Sequence, residues 1–412
     1  MKRTLIIGCM LIISQKVLGD EYHYRNFLPG DRAGGMGGAY TAVADDPSGA
    51  FYNPAGLALM IGNKLSVNVN AYHIAKKSYL SILPKTTGGA NNWDLVSSKL
   101  IPNFFGIAHK LGPGVLAFSY AVVDATSRDQ EQIFYNIKSA IPNKYITRYA
   151  ININDDDTIY NIGPSYSVKL ADSISVGATL YAHYRSGKII RNHLLTLNDS
   201  QFEWSNTYLS FSEYGVKPIL GTIISPIDKV SFGFTASKIY LLHSENRLQY
   251  TYRGIASAGF GVNDVNFYIH KTKDKRDLPY EFKVGVAYFH SPRLLVSADS
   301  LYYTKTDDYK EVLNWSVGTE YYIKDNFALR AGFFTDLSNT PKLNPYLTDQ
   351  RENINNYGIT FSGSYFTKNT SISIGLMYVH GKGEAQVISG SRAIQDVRSD
   401  YFTVFIGSNY LY

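Results

Sequence analysis

The chain has 412 residues, 18% of them charged and 14% aromatic, with 34 Tyr against 3 Trp and a formal charge of +6. So mild a positive balance is no footprint for nucleic acid, and beyond the N-terminus no stretch of ~18 apolar residues exists to cross a membrane as a helix. Cys9 is the single cysteine, which excludes a disulfide framework and leaves thiol chemistry no place outside the leader.

The N-terminus reads Met1-Lys2-Arg3, then an apolar run over residues 5–13, then Val17-Leu18-Gly19 before Asp20. This is the pattern of a secretory signal over residues 1–19. Its removal takes Lys2, Arg3 and Lys16 and lowers the formal charge to +3. Residues 20–63 follow, with no strand or long-helix period and with Gly30, Gly34, Gly35, Gly37, Gly38, Gly49, Gly56, Pro29, Pro47 and Pro54. Asp46-Pro47 suits the opening of a short helix, and Asn53-Pro54 starts a turn. A compact, small-residue segment with many free backbone groups is what a plug against a polar wall requires. A disordered leader is the alternative, opposed by the burial that Phe51, Tyr52, Leu57 and Leu59 demand.

From residue 64 to 412, alternating hydrophobicity marks about fourteen strands. Their links alternate short and long. The short ones fall at 111–113, 171–172, 226–228, 291–292, 324–326 and 368–369, each rich in turn residues. The long ones lie near 77–102, 126–156, 191–206, 246–276, 305–311, 337–355 and 381–398. Turns on one side and loops on the other are the habit of a bacterial outer-membrane barrel. The expected fold is therefore all-β: a transmembrane antiparallel barrel of about 14 strands with the N-terminal segment in its lumen, since a bore of that size needs filling.

Parity within strands agrees. Ile372, Ile374, Leu376 and Tyr378 oppose Ser371, Ser373, Gly375 and Met377, and in the last strand Phe402, Val404, Ile406, Ser408, Tyr410 and Tyr412 share one face. Glycines recur on the polar face, at Gly177, Gly233, Gly285, Gly318, Gly332, Gly375 and Gly407, where a close approach from inside would explain their cost to a strand. The third long loop is unusually apolar (Ile189, Ile190, Leu194, Leu195, Leu197, Phe202, Trp204), as is the fourth (Leu248, Tyr250, Tyr252, Ile255, Phe260, Phe267). Such a patch marks a binding surface, or else the loops pack on each other. Gly163-Pro164 lies inside the fourth predicted strand, and a proline supplies no ladder N–H. A bulge or wall opening beside it is expected, with a short edge-like strand as the alternative. Arg185 shares the inward parity of Tyr181 and His183; Lys305 precedes Asp307 and Asp308. Either could meet a ligand carboxylate or be a solvated rim charge. No nucleophile, phosphate-loop or metal-ligand motif is present, so neither an enzyme nor a cofactor is indicated.

At the N-terminus the stretch from Gly35 to Asp46, with Gly37, Gly38, Asp45 and Asp46, followed by Phe51-Tyr52-Asn53-Pro54-Ala55-Gly56-Leu57, resembles the N-terminal hatch of the FadL family. That family comprises outer-membrane transporters of long-chain fatty acids and aromatic hydrocarbons. Leu278-Pro279, Gly318-Thr319 with Tyr321-Tyr322, Asp325-Asn326, the strand at 329–334 and Ser373-Ile374-Gly375 leading to Tyr378-Val379-His380-Gly381 resemble its second half. The resemblance implies passive, hatch-gated uptake: a hydrophobic molecule collected by extracellular loops, passed to a lumen pocket and released sideways through the wall. It places Arg185 near a basic residue lining the family's pocket, and a wall kink in the third strand. A hydrophobic small molecule, outer-membrane lipid and lipopolysaccharide are the expected partners, and a monomer the expected state. Two other readings stay open. One is a barrel partner of a protein secretion system, which shares the hatch motif; the other is a general solute porin.

Overall fold

The computed structural model describes residues 23–139, 143–254, 265–348, 350–388 and 391–412; the expected leader, residues 1–19, and Phe260 lie outside them. In chain order the strands are β1 (Lys64–Pro84), β2 (Ala90–Leu111), β3 (Gly114–Lys138), β4 (Tyr145–Ala171), β5 (Ile174–Leu197), β6 (Phe202–Ile227), β7 (Val230–Lys238), β8 (Tyr240–Arg253), β9 (Val265–Thr272), β10 (Tyr280–Ser291), β11 (Leu294–Tyr303), β12 (Val312–Lys324), β13 (Phe327–Asp336), β14 (Asn353–Phe366), β15 (Thr370–Ala385) and β16 (Gln395–Leu411). Neighbours pair antiparallel, and β1 meets β16 from Lys64↔Leu411 to Tyr79↔Val397, so the sheet closes on itself. β7 and β8 both lie along β6 and form one stave interrupted at Ile239, and β9 and β10 make the next stave in the same way. The barrel thus has 14 staves.

The wall obeys the period of two. Ile372, Ile374, Leu376 and Tyr378 are exposed to the outside of β15 while Ser371, Ser373 and Met377 are buried inward. An outward apolar band with internally satisfied ladders is the form in which strands cross lipid. Outward tyrosines fix its height: Tyr280 and Tyr288 in β10, and Tyr357 and Tyr365 in β14, stand eight residues apart. That spacing is ~26 Å along the strand, about 20 Å of height at the usual strand tilt of roughly 40°, against an apolar band of about 25 Å flanked by aromatic girdles.

The short turns fall where the turn residues indicate, for example at 112–113, 172–173, 292–293 and 325–326. The opposite ends differ from expectation. Much of the sequence read as long loops, including most of 77–102, 126–156, 191–206 and 246–253, is strand that continues past the lipid band. Above the membrane neither face must be apolar, so the alternation fades although the backbone ladder persists. Eight contiguous staves turn apolar side chains inward there, and Tyr79, Trp93, Leu95, Phe134, Tyr149, Leu195 and Leu197 join one buried cluster.

Candidate functional site

Residues 23–60 lie inside the bore, and residues 61–63 lead out at the short-turn rim into β1. Asp31–Gly35 forms one helical turn (α1), Gly49–Tyr52 another (α2), and Pro54–Leu59 a 3₁₀ turn. Each is too short to hold itself, and the wall supplies the missing bonds. Asn53 accepts from the N–H of Ala55 at 3.1 Å, capping the 3₁₀ turn, and donates to the carbonyls of Thr41 at 2.8 Å and Thr222 in β6 at 3.1 Å. The Asp46 carboxylate accepts from the Ser48 N–H and from the Tyr40 hydroxyl, both at 2.8 Å. Burial raises the Tyr40 hydroxyl far above its ordinary range, so it remains a donor. Asp299 of β11 accepts from the N–H groups of Tyr40 and Thr41 at 2.9 Å.

Charge locks the end nearest the short turns. Arg32 donates to Glu320 of β12 at 2.7 and 2.9 Å, pairs also with Asp45, and shares Glu320 with Arg330 of β13. Close packing completes the seat. A Cβ on Gly332 would lie 2.2 Å from the Gly37 nitrogen, and Gly37 itself has φ +63°. The same contact recurs between Gly177 and Pro54, Gly221 and Asn53, Gly233 and Thr41, Gly285 and Thr41, Gly318 and Met36, and Gly407 and Asp31, whereas Gly375 faces the ring of Phe405.

Above this seat the wall fails between β2 and β3. Their ladder runs for eight pairs from Leu111↔Gly114 and stops at Phe104↔Ala121, although both strands continue. Pro102 sits just past the last pair and forces a register shift against β1, as expected of a residue without an N–H. The lumen segment bridges the break: the Phe27 N–H donates to the Val123 carbonyl at 3.3 Å, and Asn103 donates to the Leu28 carbonyl at 3.4 Å. Asn26 donates to Asp124 at 3.0 Å.

Beside the break lies a cavity of about 130 Å³, lined by Asn26, Phe51, Val123, Ile159, Arg185 and Leu278 among others. Tyr24 and Tyr303 stack at 4.0 Å on its wall. Its cations are matched by anions. Arg185 binds Asp157 at 2.7 and 3.1 Å, Arg276 binds Glu213 at 2.6 and 2.8 Å, and Lys217 and Lys283 share Glu281 at 3.1 and 2.8 Å.

Residues 28–265 and 269–403 match the family model described as Outer membrane protein transport protein (OMPP1/FadL/TodX). The chain belongs to this family. FadL/TodX-family proteins are outer-membrane transport barrels, and this one is an outer-membrane β-barrel channel for hydrophobic compounds. Among solved structures, a Pseudomonas aeruginosa FadL homologue is similar with TM-score 0.65 at 13% identity, covering 94% of this chain and 99% of its own. The P. putida toluene transporter TodX gives 0.64 at 12% and the Ralstonia pickettii toluene transporter TbuX 0.60 at 13%, each over 94% of this chain and 99% of the other. At such identities the likeness speaks for the fold. No functionally curated protein matches this sequence.

Against the FadL/TodX frame the site residues separate. Arg185 is buried on the cavity wall, as its parity indicates. Lys305 is not beside it; it is exposed in the loop after β11. The apolar third-loop residues do not form one groove. They belong to β5 and β6 and point both ways: Leu195 and Leu197 are buried in the extracellular cluster, Leu194 and Phe202 are exposed, and Trp204 is half-buried. Gly163-Pro164 does not open the wall. It pairs with Ser119 and Phe118 on the β3 side, and on the β5 side the ladder resumes in register from Ile162↔Ala182 to Ser165↔Thr179. Gly163 allows this, since any Cβ there would meet the Leu180 carbonyl oxygen at 2.1 Å. The break one strand away was signalled by Pro102, which the sequence reading placed at the edge of a loop.

Proposed function

We propose that the protein carries out passive uptake of small, uncharged hydrophobic compounds, with the lumen segment as a hatch and the β2–β3 break as the lateral exit. The carrying observation is the cavity of about 130 Å³ that opens beside that break. An engineered protein cavity of ~150 Å³ accepts benzene, so one aromatic ring suits this space. A buried carboxylate would need an unmatched cation, and here the cationic side chains already share carboxylates. The similarity to toluene transporters supports the same choice. Release sideways into lipid spares an apolar solute the aqueous periplasm, and the lumen segment's grip on both edges of the break makes that segment the gate.

A long-chain fatty acid is the second reading, favoured by the cations Arg185, Lys217, Lys238 and Arg276 outnumbering Asp124 and Glu281 on the cavity lining. Expression in a host lacking its own hydrophobic-compound channels separates the two. Accelerated uptake of toluene with unchanged uptake of oleate is the expected result. Acceleration of oleate alone transfers the function to fatty acids, and acceleration of neither removes the uptake reading.

A further inference from the structure

The wall has a second interruption, of a different kind. The stave β7–β8 pairs with the stave β9–β10 up to Lys238↔Tyr280, and again from Asn246↔Thr272 onward. Seven residues on each side, 239–245 and 273–279, make no ladder pair across this seam. Eight residues separate Lys238 from Asn246 and eight separate Thr272 from Tyr280, so the edges part and rejoin in the same register. This is an eye in the sheet. Seven residues of strand give it a length of ~23 Å.

Two prolines flank it. Pro218 of β6 lies level with Lys238, beside the Ile239 interruption, and Pro279 ends the β10 ladder. Neither supplies an N–H to a ladder. One rim is apolar in its lower part, with Ile239, Leu241 and Leu242, the last 63% exposed, and polar above it at His243, Ser244 and Glu245. The other rim is charged: Lys273, Asp274, Lys275 and Asp277 are exposed, and Lys238 donates to Asp277 across the lower end at 3.2 Å. Of these rim charges Arg276 alone turns inward, to bind Glu213 of β6 and the hydroxyl of Tyr309 at 3.1 Å.

Position gives the eye its meaning. It begins immediately above Tyr280, in the outer girdle of exposed tyrosines, and therefore opens at the interface of the outer leaflet. The β2–β3 break begins at nearly the same height, eight ladder pairs above its short turn against nine for the eye, on the other side of the barrel. The cavity touches both: Val123 and Asp124 line it at the break, and Ile239, Leu278 and Pro279 line it at the eye. Inward side chains of β1–β5 and β14–β16 pack into an apolar cluster that fills their side of the bore above the lipid band.

We infer that the eye between the β7–β8 and β9–β10 staves is an entry portal through which hydrophobic compounds dissolved at the outer-leaflet interface reach the cavity. Resting on the uptake reading above, it turns the route into a crossing from one side of the barrel to another. An apolar solute partitions into that interface before it meets any protein loop, and the greasy rim at Leu241 and Leu242 extends the lipid surface into the wall.

The test uses the full chain in the outer membrane of a host without such channels, with toluene as the probe. Leu242→Cys places a thiol on the outer rim, away from the cavity lining, and a bulky membrane-impermeant maleimide is attached after folding, checked by its mass. Toluene uptake is expected to fall several-fold on modification, while the same treatment of Tyr346→Cys, in the exposed loop before β14, and of the native chain changes nothing. Unchanged uptake on full modification of Leu242→Cys, with uptake abolished by Val123→Trp in the β2–β3 break, overturns the portal and leaves the uptake function standing. Native-chain uptake no faster than that of cells without the protein overturns the uptake reading itself.

Discussion

The two interruptions of the wall differ in what holds them. At the β2–β3 break the continuous ladder ends at Ala121, the backbone of Phe27 and Leu28 bonds one edge each, and farther up Ser97 meets Ser127, Gln130 meets Val96, and Lys85 bridges Ile137. At the eye the staves recover their register, and Arg276 ties one rim to Glu213 of β6 and to Tyr309 of the loop after β11. On the route proposed above, the first acts as a gate whose state follows the lumen segment, and the second as a fixed aperture. A barrel can carry both because closure removes sheet edges everywhere else.

The largest expected effect comes from loosening the lumen segment while leaving both interruptions intact. Glu320 is 2% exposed and serves Arg32 of the segment and Arg330 of the wall. Glu320→Ala leaves two buried guanidiniums without their shared carboxylate, a loss of about 3–5 kcal/mol by analogy with broken buried pairs. Unfolding in vesicles should register the loss, and planar-bilayer recordings should show current through the bore. Hydrogen exchange should rise at the Phe27 amide, which donates to Val123, and stay unchanged along β8. A rise confined to β8 would reverse the assignment of gate and aperture.

A smaller effect is expected from the seat itself. Gly332→Val drives a side chain into the backbone of Met36 and Gly37, with overpacking costs of about 1–3 kcal/mol. Gly363→Ala is the control, since its added methyl meets the ring of Phe327 at an ordinary 3.5 Å. Equal stability of the two variants would mean that the segment does not press on the wall.

The seat was legible in the sequence for a physical reason. A glycine costs strand stability wherever it stands, so a series of them on one face records a close neighbour, and six of the seven marked by parity touch residues 31–55. The short turns were legible through their turn residues, and the apolar band through lipid's demand for alternation. That demand ends at the outer girdle, which is why the tall parts of β1 to β6 read as loops and the apolar residues at 189–204 as one surface when they occupy two faces of strands. The eye left no trace in local periodicity, because it arises from equal lengths of chain parting and meeting again. Arg185 kept its parity and its place; Lys305, outside any strand, had no parity to read.

The finest distinction concerns the prolines. Pro164 stands between two strands that keep register on both sides, with Gly163 letting the backbones close over the missing bond. Pro102 has a register shift on one side and no partner strand on the other. Restoring an N–H should therefore act at one site and not at the other. Pro102→Ala is expected to extend the β2–β3 ladder, slow exchange of the amides at residues 122–124 and reduce toluene uptake in part. Pro164→Ala should leave both measurements where they are. If Pro164→Ala alone slowed uptake, the exit would have to be moved to the β4–β5 seam, and the bridging by Phe27 would become packing without a gating role.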